Sequence, residues 1–115
     1  MVEEWIKAIK KECPPDQLGM ILVHNGIVRA SSRQGEPVGG MTLSYDRAAL
    51  DEALSQFKNR EGIVDIRAWI NEGQLKVGDD IMFVVVAGRF RKDILPVFQE
   101  LITLIKTQIV REEEC

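Results

Sequence analysis

The 115-residue sequence holds one histidine, two cysteines and one tyrosine, and these scarcities remove whole classes of function. His24 stands without a second histidine or a nearby cysteine or carboxylate cluster, so no metal-binding motif forms and no cofactor is expected. Cys13 and Cys115 lie far apart, with neither metal spacing nor the density of a disulfide scaffold, and read as free thiols. The longest apolar run is seven residues, well short of the roughly 20 needed to span a bilayer. Met1-Val2-Glu3-Glu4 is acidic where a secretory leader is basic, so a cytoplasmic protein is expected. A basic excess is missing too. With 18 acids against 15 bases the net charge is −3, which gives no general attraction to nucleic acid or to an anionic membrane. An anionic ligand must therefore be met by a local cluster of cations. No repeat, linker or low-complexity tract divides the chain, and a single domain over residues 1–115 is expected.

What is present centres on Gly73 to Lys106, which reads as turn, buried strand, basic corner and amphipathic helix. Ile81 to Ala87 is unbroken, apolar and rich in β-branched residues, the pattern of a central strand covered on both faces. Arg89 and Arg91 follow it. Asp93 is a candidate N-cap that would place Pro96 in the first helical turn, where a missing N–H costs little. Ile94, Phe98, Leu101 and Ile105, with Leu95, Ile102 and Ile109, give one broad apolar face. Lys106 sits at the edge of that stripe, where water is thinned out.

Earlier in the chain, residues 2–12 carry Val2, Trp5, Ile6 and Ile9 at helical spacing and end at Pro14-Pro15. Gly19 to Ala30 reads as a long strand, with a bulge or bend at Asn25-Gly26. His24 falls in it, and a lone histidine in a half-buried strand reads as hydrogen-bonded there rather than as a ligand. Ser31 to Gly40 is polar and glycine-rich, without a P-loop or dinucleotide pattern, and reads as a mobile connection flanked by Arg29 and containing Arg33. Met41 to Tyr45 alternates as a strand, and Asp46 opens a helix whose inward face is Ala49, Leu50, Ala53, Leu54 and Phe57. Ile63 to Ile70 is a further strand, and Arg111 to Cys115 reads as a frayed acidic end. The order predicts an α+β fold: a mostly antiparallel sheet with helices packed on one face. These residues alone support an α+β domain with an anion site at its basic corner.

Several segments, from about Gly19 to Lys106, resemble the large, catalytic subunit of molybdopterin synthase, the MoaE family. Gly26-Ile27-Val28-Arg29 is similar to the family's G-x-V-R. Gly73-Gln74-Leu75-Lys76-Val77-Gly78-Asp79 resembles its G-x-L-x-x-G-D turn, Met41 to Tyr45 with the following helix its second strand and helix, Arg91 the arginine of a His-Arg pair, and Ile105-Lys106-Thr107 its helix-terminal lysine. The resemblance implies an α/β-hammerhead type of fold and a sulfurtransferase of molybdenum cofactor biosynthesis. Sulfur would pass from the thiocarboxylated C-terminus of a ubiquitin-like small subunit to cyclic pyranopterin monophosphate, forming molybdopterin. It also implies a homodimer flanked by two small subunits, with no nucleic-acid or membrane partner.

On that reading Lys106 is the catalytic residue, an acid or base or an electrostatic stabiliser of an acyl intermediate. Arg29, Arg91 and Arg33 would bind substrate, the first two forking onto phosphate oxygens. Fifteen residues of straight helix separate Arg91 from Lys106 by roughly 22 Å, so Arg91 either serves a neighbouring subunit or is structural. The sequence departs from the family pattern at Phe90, which replaces the histidine of the pair, and at Ile70-Asn71, which replaces a second His-Arg pair. After Lys106 it reads TQIVREEEC, with Arg111 the nearest substitute for a further family lysine, and the longer C-terminal segment is expected to be largely missing. These departures keep a second reading open, a catalytically degenerate MoaE-like dimeric binding or regulatory module.

Overall fold

Asp46 shows how directly local chemistry sets the elements of this chain. Its carboxylate accepts from the Ala49 amide at 3.0 Å, starting the helix that the sequence places there. In the computed structural model, which describes residues 1–115, the order is α1 (Val2–Glu12), β1 (Met20–Ile27), β2 (Gly40–Tyr45), α2 (Arg47–Lys58), β3 (Ile63–Ile70), β4 (Gly73–Lys76), β5 (Asp80–Gly88) and α3 (Arg91–Leu104). A π-helical turn (Ile105–Ile109) and β6 (Val110–Glu114) follow. All pairings are antiparallel, and the strands divide into two three-stranded sheets ordered β1-β5-β3 and β4-β2-β6.

β5 is central in the first sheet, as its unbroken apolar run requires, and its alternation sorts the helices. Val84 and Val86 face the main core with Ile94, Val97 and Leu101 of α3 and Leu50, Ala53 and Phe57 of α2. Val85 and Ala87 face the other way and pack with Ile9 of α1. The α+β class and antiparallel pairing therefore hold, with one refinement to the layering: α2 and α3 share a face, and α1 covers part of the opposite one. Met41, Leu43 and Leu75 bring the second sheet into the main core.

A charged network ties three elements together at the rim. The buried Asp65 carboxylate accepts from the Ile66 amide and from Arg67 Nε, each at 2.9 Å, and Lys58 Nζ lies 3.2 Å away. Arg67 extends to Glu12 of α1 at 3.2 Å. The single buried carboxylate of the fold is thus fully engaged, as burial of a charge demands.

Two local expectations are corrected. Helix α3 begins at Arg91 with Phe90 as its N-cap, because the Asp93 side chain turns to Arg89 Nε at 3.4 Å. Asp93 also lies against Gly62, whose φ of +81° and lack of a Cβ permit the approach. Pro96 consequently sits in the second turn, where the Lys92 carbonyl it leaves unpaired belongs to an exposed residue.

The acidic tail is likewise not frayed. It pairs with β2, placing Glu112 opposite Leu43 and Glu114 opposite Met41. No helix is long and apolar enough to cross a membrane.

Candidate functional site

The β1 strand ends in a register shift between Gly26 and Ile27, so the bulge expected at Asn25-Gly26 is present. Beyond it Val28 is buried, and its backbone is tied to the Gly73–Asp79 turn. The Val28 amide donates to the Asp79 carbonyl, and the Gly78 amide donates to the Val28 carbonyl, each at 2.9 Å. Gly78 turns the chain with φ +90°, and the Asp79 carboxylate accepts from the Lys76 amide at 2.8 Å. Two separate sequence motifs are thereby joined, and their junction holds the backbone next to Arg29.

Ser31 to Gly40, read from the sequence as a mobile connection, carries hydrogen bonds of its own. Ser32 Oγ accepts from the amides of Gln34 and Glu36, and Ser31 bridges Pro37 across a short hairpin that carries Arg33.

On the opposite wall, the chain leaves α3 through the π turn. Ile105 and Ile109 stay buried, the Val110 amide closes the turn on the Ile105 carbonyl, and Lys106 is left at the surface. These walls enclose a cleft of about 570 Å³ between the two sheets. Arg29, Arg33 and Lys106 all line it, with Met41 and Met82 contributing apolar wall. Three of the four proposed site residues therefore converge. Arg91 lies at the far end of α3, exposed and outside the cleft, in keeping with the separation expected along that helix.

The cleft is not purely cationic. Glu112 and Glu114 line it from β6, because they share the face of Leu43 and Met41. Glu112 Oε1 accepts from Lys106 Nζ, with the two side chains 24% and 40% exposed. Arg111 occupies the alternate face of β6 and lines a different hollow with Tyr45, so it does not replace a cation at Lys106. Glu112→Gln is expected to tighten inorganic pyrophosphate binding by roughly 2- to 5-fold, the scale of a partly exposed ion pair. Calorimetry at low salt measures it, and the gain should shrink as salt is raised.

His24 also lines the cleft, a placement that its strand position alone did not show. Its ring packs edge-on against Phe98 at 6.4 Å. Burial first, and the charge of Lys106 second, hold its pKa below the ordinary histidine value and favour the neutral imidazole. The available signal was spacing on the partner helix: Phe98, Ile102 and Lys106 recur every four residues and mark one stripe, but nothing local showed that β1 would lie against it.

An α+β domain of two antiparallel three-stranded sheets, with a cleft of converging cations between them, is the class that fold and site define. The chain belongs to the MoaE family: the pattern described as MoaE protein matches residues 2–108. An uncharacterized protein of Methanocaldococcus jannaschii is 28% identical over 94 residues, covering 78% of this chain and 79% of that protein. Among solved structures, molybdopterin synthase from Staphylococcus aureus superposes with a TM-score of 0.76 at 17% identity, over 96% of this chain and 82% of that one. Molybdopterin cofactor biosynthesis protein E from Burkholderia multivorans gives 0.78 at 21%, over 99% and 80%. A complex of subunits 1 and 2 of molybdopterin-converting factor from Helicobacter pylori gives 0.73 at 20%, over 98% and 77%. At these identities the structural matches establish the fold.

Proposed function

We propose that this chain is a large subunit of molybdopterin synthase, acting in molybdenum cofactor biosynthesis. It takes sulfur from the thiocarboxylated C-terminus of a ubiquitin-like small subunit and delivers it to cyclic pyranopterin monophosphate. The observation that carries this reading is the convergence of Arg29, Arg33 and Lys106 in one cleft of a MoaE-family chain. Both reactants are anions, and in a protein of net charge −3 such a cluster is the place where they can meet. Arg29 and Arg33 suit the phosphate through forked, charge-assisted hydrogen bonds. Lys106, which lines the cleft, suits the thiocarboxylate and the oxyanion that forms when its carbonyl is attacked. The match to a two-subunit complex supports a small-subunit partner.

The test is turnover with purified chain, thiocarboxylated small subunit and pyranopterin precursor, following dithiolene product. No product from folded wild type, beside an active control enzyme, overturns the reading. Two features favour the degenerate binding or regulatory module instead: Glu112 pairs with Lys106, and Phe90, Ile70 and Asn71 stand where the resemblance implies family site residues. That module would bind pterin phosphate without consuming it.

Arg91 enters this scheme through a homodimer, serving the cleft of the other subunit. Arg91→Ala and Lys106→Ala homodimers should then both be impaired. A 1:1 mixture after subunit exchange should recover about a quarter of wild-type activity, because half the dimers contain one intact cleft. Failure of the mixture to exceed its components assigns Arg91 a role outside the site.

A further inference from the structure

The cleft contains the chain's one imidazole, the side-chain type whose ordinary titration range lies nearest neutral pH. His24 lies on the α3-facing side of β1, opposite Val84 in the neighbouring strand. Phe98 holds the ring from one side. No buried side-chain nitrogen or oxygen of the fold lacks a partner, and His24 makes no hydrogen bond within the chain, so its ring nitrogens open to water in the cleft. The position expected to carry a histidine by family resemblance holds Phe90, which is 53% exposed and outside the cleft. The cleft's imidazole is thus supplied by β1, and the Phe90 position, away from the cleft, supplies none.

We propose that His24 is the proton-transfer residue of this cleft, acting on the water that splits the acyl–sulfur bond between small subunit and pterin. The proposal rests on the sulfur-transfer reading. In the step, the water oxygen bonds to the acyl carbon and its proton passes to the free nitrogen of His24. The carbon–sulfur bond breaks and its electron pair leaves on sulfur. The imidazolium then returns the proton to that thiolate, giving a carboxylic acid and a thiol with no change of oxidation state.

Neutral imidazole is the form a general base needs, and burial together with Lys106 favours that form at pH 7. The charged groups facing the ring's surroundings are Lys106 from the π turn, Glu112 and Glu114 from β6, and Arg29 and Arg33 beyond β1. β5 offers only apolar side chains there. An anion bound among these cations lowers the positive potential at His24 and makes its protonated form easier to reach.

Because the chain has one histidine, a single imidazole C–H resonance reports this site. Its titration should have a midpoint below that of a model histidine peptide. Saturating inorganic pyrophosphate, and separately Lys106→Gln, should each move the midpoint upward. A midpoint indifferent to both overturns the proposal, whatever the synthase assay returns. In that assay His24→Gln should lower kcat about 10²-fold, with a smaller change in KM and loss of the acidic limb of the pH profile. His24→Ala should regain activity when imidazole is added to solution. An unaltered pH profile in His24→Gln, or a wild-type-like kcat, also overturns it. If wild type makes no dithiolene while the resonance responds to pyrophosphate as expected, the sulfur-transfer reading fails and His24 stands as an anion-linked proton site.

Discussion

Lys106→Ala should lower dithiolene formation by at least about 10²- to 10³-fold while leaving the fold in place, the scale seen when one preorganised stabiliser of an oxyanion is removed. The size follows from where the lysine sits. It lines the cleft with Arg29 and Arg33, so an attacked thiocarboxylate carbonyl would lose one of the three cations there. Stability should barely change. The side chain is 40% exposed and its one ion pair, to Glu112, is partly solvated, a combination worth about 0–1 kcal/mol. Thermal melts of variant and wild type should therefore agree within a few degrees while rates differ by orders of magnitude. Lys106→Arg separates two roles. Arginine keeps the charge and does not deprotonate, so substantial retained activity assigns an electrostatic role and loss equal to that of alanine assigns proton transfer.

Leu101→Ala should act in the opposite sense, on stability first. Leu101 is 0% exposed, on the face of α3 that meets Val84 and Val86 of β5 in the main core. Truncating such a leucine costs about 2–5 kcal/mol, against a total stability of about 5–15 kcal/mol for an ordinary domain. For a domain of this size that corresponds to a drop in Tm of roughly 10–30 °C. Leu95→Ala on the same helix is the control. Leu95 is partly exposed and outside that core, so its loss should stay near 0.5 kcal/mol. Differential scanning calorimetry of the pair checks the assignment of the buried face. Equal costs would mean that α3 is rotated from the orientation described.

The parts legible in the sequence are those where one physical cause dominates. β5 was readable because seven consecutive apolar residues suit a strand covered on both faces, and Asp46 because a carboxylate before an apolar-periodic segment is a strong cap. The bulge at Gly26 was readable because an Asn-Gly pair interrupts an otherwise continuous strand. Asp93 misled because two partners compete for it: the helix N-terminus and Arg89, four residues earlier. β6 was hidden by composition. Arg111-Glu112-Glu113-Glu114 has no apolar alternation, and it is a strand because β2 offers an edge and its backbone partners.

The cleft was legible to the extent that cations were rare enough to count. Arg29, Arg33 and Lys106 could be singled out one by one, their meeting in one cleft could not, and helix length alone separates Arg91 from Lys106. The counter-charges of Glu112 and Glu114 could not be read before β6 was known. The place of His24 in the cleft was hidden for a related reason: its neighbours Phe98 and Lys106 are more than seventy residues away in the chain and come near only through the packing of α3 on the first sheet.

The measurement that bears most directly on the proposed function is a single turnover with sulfur-labelled small subunit. Limiting pyranopterin monophosphate is mixed with excess purified chain and the labelled thiocarboxylate, and the pterin and protein fractions are separated by time. The expected result is label passing from the small subunit into dithiolene with wild type, and label held on the small subunit with Lys106→Ala. Label that stays on the small subunit with folded wild type, in a mixture where a control enzyme moves it, would contradict sulfur transfer in this cleft.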